Sequence, residues 1–132
     1  MSAVAVDTNF YSGFMRGVPA AVSALRTARE IHLPLIVLGE LLAGFAVGAR
    51  ATKNREELER FMSSPRVSVL QPDERTVRHY ADIFAGLRSA GTPIPTNDLW
   101  IAALVRQHRV SLLTFDNHFE AVPGLAVIRP SV

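Results

Sequence analysis

The chain alternates between two hydrophobic patterns. Short, nearly continuous apolar runs occur at "AVAV" (3–6), "PLIVL" (34–38), "VSVL" (67–70), "SLLTF" (111–115) and "LAVI" (125–128). Each is bounded by polar or turn-forming residues, so each predicts a short buried strand. Helical patterns cover 9–16, 20–30, 38–49, 53–63, 73–90 and 97–108. Pro19 and Pro72 stand where a first helical turn is predicted, and Thr96 suits the N-cap of the last helix. Pro34 can open a strand but cannot sit in the middle of a sheet. Apolar strands alternating with helices predict an α/β fold. Its core is a central, mostly parallel five-stranded sheet flanked by helices on both sides. No repeat, low-complexity tract or linker interrupts the pattern, so residues 1–132 read as a single domain. Ligands of such sheets bind at the carboxyl ends of the strands, where the strand order switches.

Four carboxylates stand at the borders of these elements. Asp7 follows the first strand directly, in "AVAVDTNF", where it could equally cap a helix. Glu40, in "VLGELLAGF", shares a helical face with Ala43, Gly44 and Val47, small or apolar neighbours rather than charged partners. Asp98 tops the stripe of Ile101, Ala102 and Val105 that should face the core. Asp116 ends the fourth apolar run, on the same side of it as Leu112 and Thr114. Helix capping, dipole complementation or turn formation explains each acid singly. Together they could meet at one sheet edge. Four converging carboxylates would repel one another and raise their own pKa values, a conflict that a hard divalent cation removes.

Composition narrows the chemistry. There is no cysteine, which excludes disulfides, thiolate metal sites and thiol nucleophiles. With oxygen ligands and no clustered histidine, Mg²⁺ or Mn²⁺ is expected over Zn²⁺. Hydrophobic residues make up 48% of the chain, which suits a packed core. No apolar run approaches the ~18 residues of a membrane span. The N-terminal apolar run lacks a basic flank and stops at Asp7, so no leader and a cytoplasmic location are expected. The net charge is +2, and 13 of the 14 basic residues are arginines, Lys53 being the exception. That balance is compatible with phosphate contact.

Four motifs in order, "VDTNF", "LGELLAG", "TNDLWIAA" and "LLTFDNHFEAVPGLAVI", resemble the PIN domain, and most of all the VapC-type toxins of bacterial toxin–antitoxin pairs. The resemblance runs nearly end to end. It implies ribonuclease activity, Mg²⁺ or Mn²⁺, homodimers and inhibition by a small antitoxin protein. By motif position it carries the acidic site to Asp7, Glu40, Asp98 and Asp116, with Asn9 and Thr114 as supporting polar residues. Asp7, Asp98 and Asp116 are then the expected metal ligands, and Glu40 binds metal directly or through water. The implied reaction cleaves single-stranded or looped RNA to a 5′-phosphate and a 3′-hydroxyl.

Other readings stay open on sequence alone. The same fold could process RNA or cut DNA with no toxin role. A metal- or phosphate-binding regulatory module is a further alternative, although no lysine stands near the late strands to meet a phosphoryl group. A phosphatase using Asp7 as nucleophile would want a second acid two residues on, where Asn9 stands. Arg16 and His118 are candidate substrate contacts, and Arg16, which follows the helix that Asp7 launches, is a better candidate than the basic run beginning at Arg50. Arg50, Lys53, Arg55 and Arg60 are interleaved with Glu56, Glu57 and Glu59, which reads as a salt-bridged, solvated helix. Trp100 and Phe119 read as core residues.

Overall fold

The computed structural model describes residues 3–131. Its elements run β1 (Ala3–Val6), α1 (Thr8–Met15), α2 (Pro19–Thr27), β2 (Glu30–Pro34), α3 (Leu35–Val47), α4 (Ala51–Met62) and β3 (Val67–Leu70). They continue as α5 (Glu74–Ala90), α6 (Thr96–His108), β4 (Ser111–Leu113), a 3-10 turn (Asn117–Ala121) and β5 (Val127–Ile128). The five strands form one sheet in the order β3-β2-β1-β4-β5, and every pairing is parallel. Connections from β1 to β3 step one way along the sheet and the connection to β4 steps back. Crossovers in opposite directions, each right-handed as parallel strands require, cover both faces, with α1 packing on α2 and α3, α3 on α4, and α5 on α6.

β1 is the central strand, and it is apolar because both its faces are covered: Val4, Ala5 and Val6 are fully buried. Leu112 and Leu113 of β4 lie beside it, with Leu113 in register with Val6 on one side and Ile128 on the other. Leu113 has no exposed surface. Leu113→Ala is therefore expected to cost ~2–5 kcal/mol in a urea melt, with the denaturant slope unchanged.

The second strand is displaced from its predicted place. Residues 30–34 form it, and "LIVL" is instead the first turn of α3. Pro34 closes the strand, in register with Leu70, rather than opening it. A short apolar run carries no period that separates strand from helix. In α3 the pattern is blurred further, because only Val37 and Leu41 are buried while Leu35, Leu42 and Val47 remain exposed. The helix predicted over 20–30 accordingly ends at Thr27, leaving Glu30 and Ile31 to the strand.

Local caps differ as well. Pro19 opens α2 as predicted. Pro72 lies outside α5, whose N-cap is Asp73, part of a capping box with Thr76. Thr96 is the first helical residue of α6, and Pro95 occupies the cap position with no side chain to bond. α4 is solvated, with Leu58 its one buried residue. None of the ion pairs among the described residues involves α4, so its charges are solvated rather than bridged.

Candidate functional site

The strand order reverses between β1 and β4, and the carboxyl ends of these neighbours carry the first and last acids. Asp7 follows β1 and is held at both ends of its carboxylate. Its backbone N–H extends the ladder to the Leu113 carbonyl at 3.4 Å. Oδ1 accepts the Phe10 N–H at 2.8 Å and so caps α1. Oδ2 accepts the Thr114 hydroxyl at 2.5 Å. Asp7 thus caps α1 and also lines the cleft at the sheet edge. Thr114 is fully buried just past β4, and its Oγ1 also accepts the Asp116 N–H at 2.9 Å. One hydroxyl thus ties two acids that are 109 positions apart in the sequence.

Glu40 lies in the second turn of α3, past the dipole-favoured first turn. It accepts the Thr8 hydroxyl through Oε1 at 2.5 Å and the Asn97 amide through Oε2 at 3.1 Å. Asp98 stands in the first turn of α6 above the buried Ile101, Ala102 and Val105, as the stripe predicts. Asp116 Oδ1 accepts the His118 N–H at 3.2 Å and caps the 3-10 turn. The four acids line one cleft of about 170 Å³ whose apolar wall is Ile101 and Phe119.

The electrostatics are strained as four acids in one cleft require. Burial pushes the Asp7 carboxyl up, Asp98 and Asp116 add to the rise, and the bonds from Thr114 and Phe10 oppose it. Asp7 is only 5% exposed. Burial also raises Asp98, with Glu40 and Asp116 adding to the rise and His118 opposing it. No lysine or arginine lines this cleft among the described residues. Oxygen-rich donors with an excess of negative charge and two destabilised carboxylates fit a hard divalent cation.

Several residues sit otherwise than the sequence suggests. His118, expected only as a weak substrate contact, is wedged between two acids: Nε2 lies 2.6 Å from Asp98 Oδ2 and Nδ1 2.9 Å from Asp116 Oδ1. His118 thus touches two of the acids without itself lining the cleft. Asp98, Asp116 and His118 offer ligand atoms all within 4.8 Å of one another, whereas Asp7 and Glu40 line the cleft outside that tight group. Arg16 does not line the acidic cleft; it borders a separate basic cleft of about 300 Å³ with Arg50, Lys53 and Glu57. Asn9 is exposed at the rim. Thr8 and Asn97, which orient Glu40, were unmarked by the sequence reading, although each adjoins a motif acid or lies one residue from it.

The PIN-domain model matches residues 4–125. The chain belongs to the PIN-domain family. Among PIN-domain relatives, it is 33% identical over 127 residues to ribonuclease VapC1 of Haemophilus influenzae strain R2866, covering 91% of this chain and 92% of that protein. It is 32% identical over 99 residues to ribonuclease VapC4 of Mycobacterium tuberculosis, covering 75% and 76%. A chain in the crystal structure of DNA-bound VapBC from Salmonella typhimurium superposes with a TM-score of 0.84 at 26% identity, covering 98% of each chain. No helix of this PIN domain, among the described residues, is long and apolar enough to cross a membrane.

Proposed function

We propose that this PIN domain is a divalent-metal-dependent endoribonuclease and the toxin of a toxin–antitoxin pair. The observation that carries the reading is the gathering of Asp7, Glu40, Asp98 and Asp116 into one cleft at the switch in strand order. The VapC ribonucleases among its relatives and the VapBC complex among its structural neighbours support it.

In this reading Asp7, Asp98 and Asp116 hold Mg²⁺ or Mn²⁺. When bound, the ion supplies a Lewis acid that lowers the pKa of a coordinated water and offsets charge on the phosphate. Thr114 keeps Asp7 and Asp116 in fixed relation. Glu40, oriented by Thr8 and Asn97, positions the attacking water. Asn9, at the rim, meets the incoming strand. Water adds to phosphorus and the 3′-oxygen leaves, giving a 5′-phosphate and a 3′-hydroxyl. Single-stranded or looped RNA has backbone flexible enough to bring one phosphate into a cleft this small. The basic cleft of Arg16, Arg50 and Lys53 is available to flanking phosphates. The toxin works in the cytoplasm as a homodimer restrained by its antitoxin; the exposed Leu35, Leu42 and Val47 of α3 are surface that such partners cover.

EDTA is expected to abolish RNA cleavage and added Mn²⁺ to restore it; cleavage undiminished in EDTA would sink the proposal. Metal affinity should also depend on pH. The raised carboxyls of Asp7 and Asp98 must be ionised to hold a cation, so affinity weakens as pH falls from neutrality through their raised pKa values. The metal-free fold shows the opposite sign: it binds more protons than the unfolded chain in that window and gains stability as pH falls. Calorimetric Mn²⁺ titration and thermal melts across pH 4–7 check both slopes.

A further inference from the structure

We propose that His118 is a nitrogen ligand of the cleft's metal ion, binding through Nε2 beside Asp98 and biasing the site toward Mn²⁺ over Mg²⁺. This rests on the metal-nuclease reading above and adds a donor outside the four acids.

The placement of the ring carries the inference. The His118 backbone N–H already bonds Asp116 Oδ1, and that bond seats the turn without help from the side chain. The ring packs obliquely on Phe119, with centroids 5.1 Å apart, beside the cleft that Phe119 helps to line. There Nε2 lies 2.6 Å from Asp98 Oδ2. With Asp116 these atoms fall within 4.8 Å of one another, close enough that one cation would take both Nε2 and the Asp98 carboxylate as ligands. On the other edge Nδ1 lies 2.9 Å from Asp116 Oδ1. Metal-binding histidines characteristically donate their second ring N–H to a carboxylate, which orients the ring and strengthens the donor nitrogen. Nδ1 and Nε2 of His118 stand in the two positions that arrangement requires. The His118 side chain is 32% exposed, so burial does not force it between the acids. An imidazole can offer a lone pair, which an ammonium or guanidinium in the same place could not. A nitrogen donor disfavours Mg²⁺, which prefers oxygen, more than it disfavours Mn²⁺.

The test uses the full chain loaded with Mn²⁺ and read by pulsed electron paramagnetic resonance. Directly bound ¹⁴N should modulate the wild-type signal and vanish in His118→Gln. In parallel, Mn²⁺ affinity should fall roughly tenfold in that variant while Mg²⁺ affinity, from competition, stays within about twofold. His118→Asn, with its fold checked by circular dichroism, serves if the glutamine variant misfolds. Bound Mn²⁺ with no nitrogen coupling, or a coupling that persists in both variants, overturns the ligand role and leaves the nuclease reading standing. Failure of the wild-type protein to bind Mn²⁺, or binding indifferent to Asp98→Asn, overturns both.

Discussion

Asp98→Asn is expected to lower RNA cleavage about 10³-fold while raising the melting temperature of the metal-free protein. The two effects share one origin. The Asp98 carboxyl is half-buried above an apolar stripe and faces Glu40 and Asp116, so its ionised form is disfavoured and its pKa is raised. A group whose folded pKa lies above its unfolded value opposes folding at neutral pH. Asparagine removes that charge and keeps an oxygen to accept from His118 Nε2. The same charge is what a metal ion and a developing phosphate transition state require. Losing ~4 kcal/mol of transition-state stabilisation corresponds to the stated factor. Cleavage assays with Mn²⁺ and melts in EDTA measure the pair. Full activity removes Asp98 from the site, and a lower melting temperature refutes the claim that its charge is held at a cost.

Thr114→Val should have the largest effect on stability of any single change at the site. It replaces a fully buried hydroxyl by a methyl of similar shape, so little packing is lost. Two hydrogen bonds are lost: Asp7 Oδ2 loses its donor and the Asp116 N–H its acceptor. Hydrogen bonds to charged groups are worth more than neutral ones, and buried groups left unpaired cost their desolvation, so ~2–4 kcal/mol is expected in a urea melt. The Thr114 bond lowers the Asp7 pKa, so its loss raises that carboxyl further. Metal affinity at pH 7 should then weaken, its pH dependence should move upward, and cleavage should fall about 10–100-fold. Thr114→Ser restores both bonds and should recover most of the stability and activity. A valine variant as stable as wild type would show that the hydroxyl is not the tie between Asp7 and Asp116.

The acids were legible because each interrupts a pattern. Asp7 ends a run of buried apolar residues, and Asp98 crowns a stripe that is otherwise core. Thr114 was legible for the same reason, a hydroxyl continuing the buried side of β4 just past its end. The ring contacts of His118 were not, because its partners are Asp98, twenty residues earlier, and Asp116, two residues earlier. The second link looks like ordinary turn chemistry, and the first has no periodicity to betray it. Thr8 and Asn97 escaped notice because they come from different elements and meet only on Glu40. The second strand was misplaced because "LIVL" is apolar without a period, and α3 leaves so much of its apolar surface uncovered that no stripe emerges.

By itself the sequence determined the alternation of buried strands with helices, the parallel sheet and the place of Asp7, Asp98 and Asp116 at element borders, whereas Glu40 lies inside α3. These are consequences of local periodicity and of which residue types tolerate a strand end or a first helical turn. Only the tertiary structure decided where β2 ends, which oxygens share a cleft and that an imidazole lies between two of them. Those outcomes depend on the pairing of β4 with β1 and on the packing of α6 against α3 and β2. That packing brings together side chains as far apart as Asp7 and Thr114, and no local preference of the chain encodes such a contact.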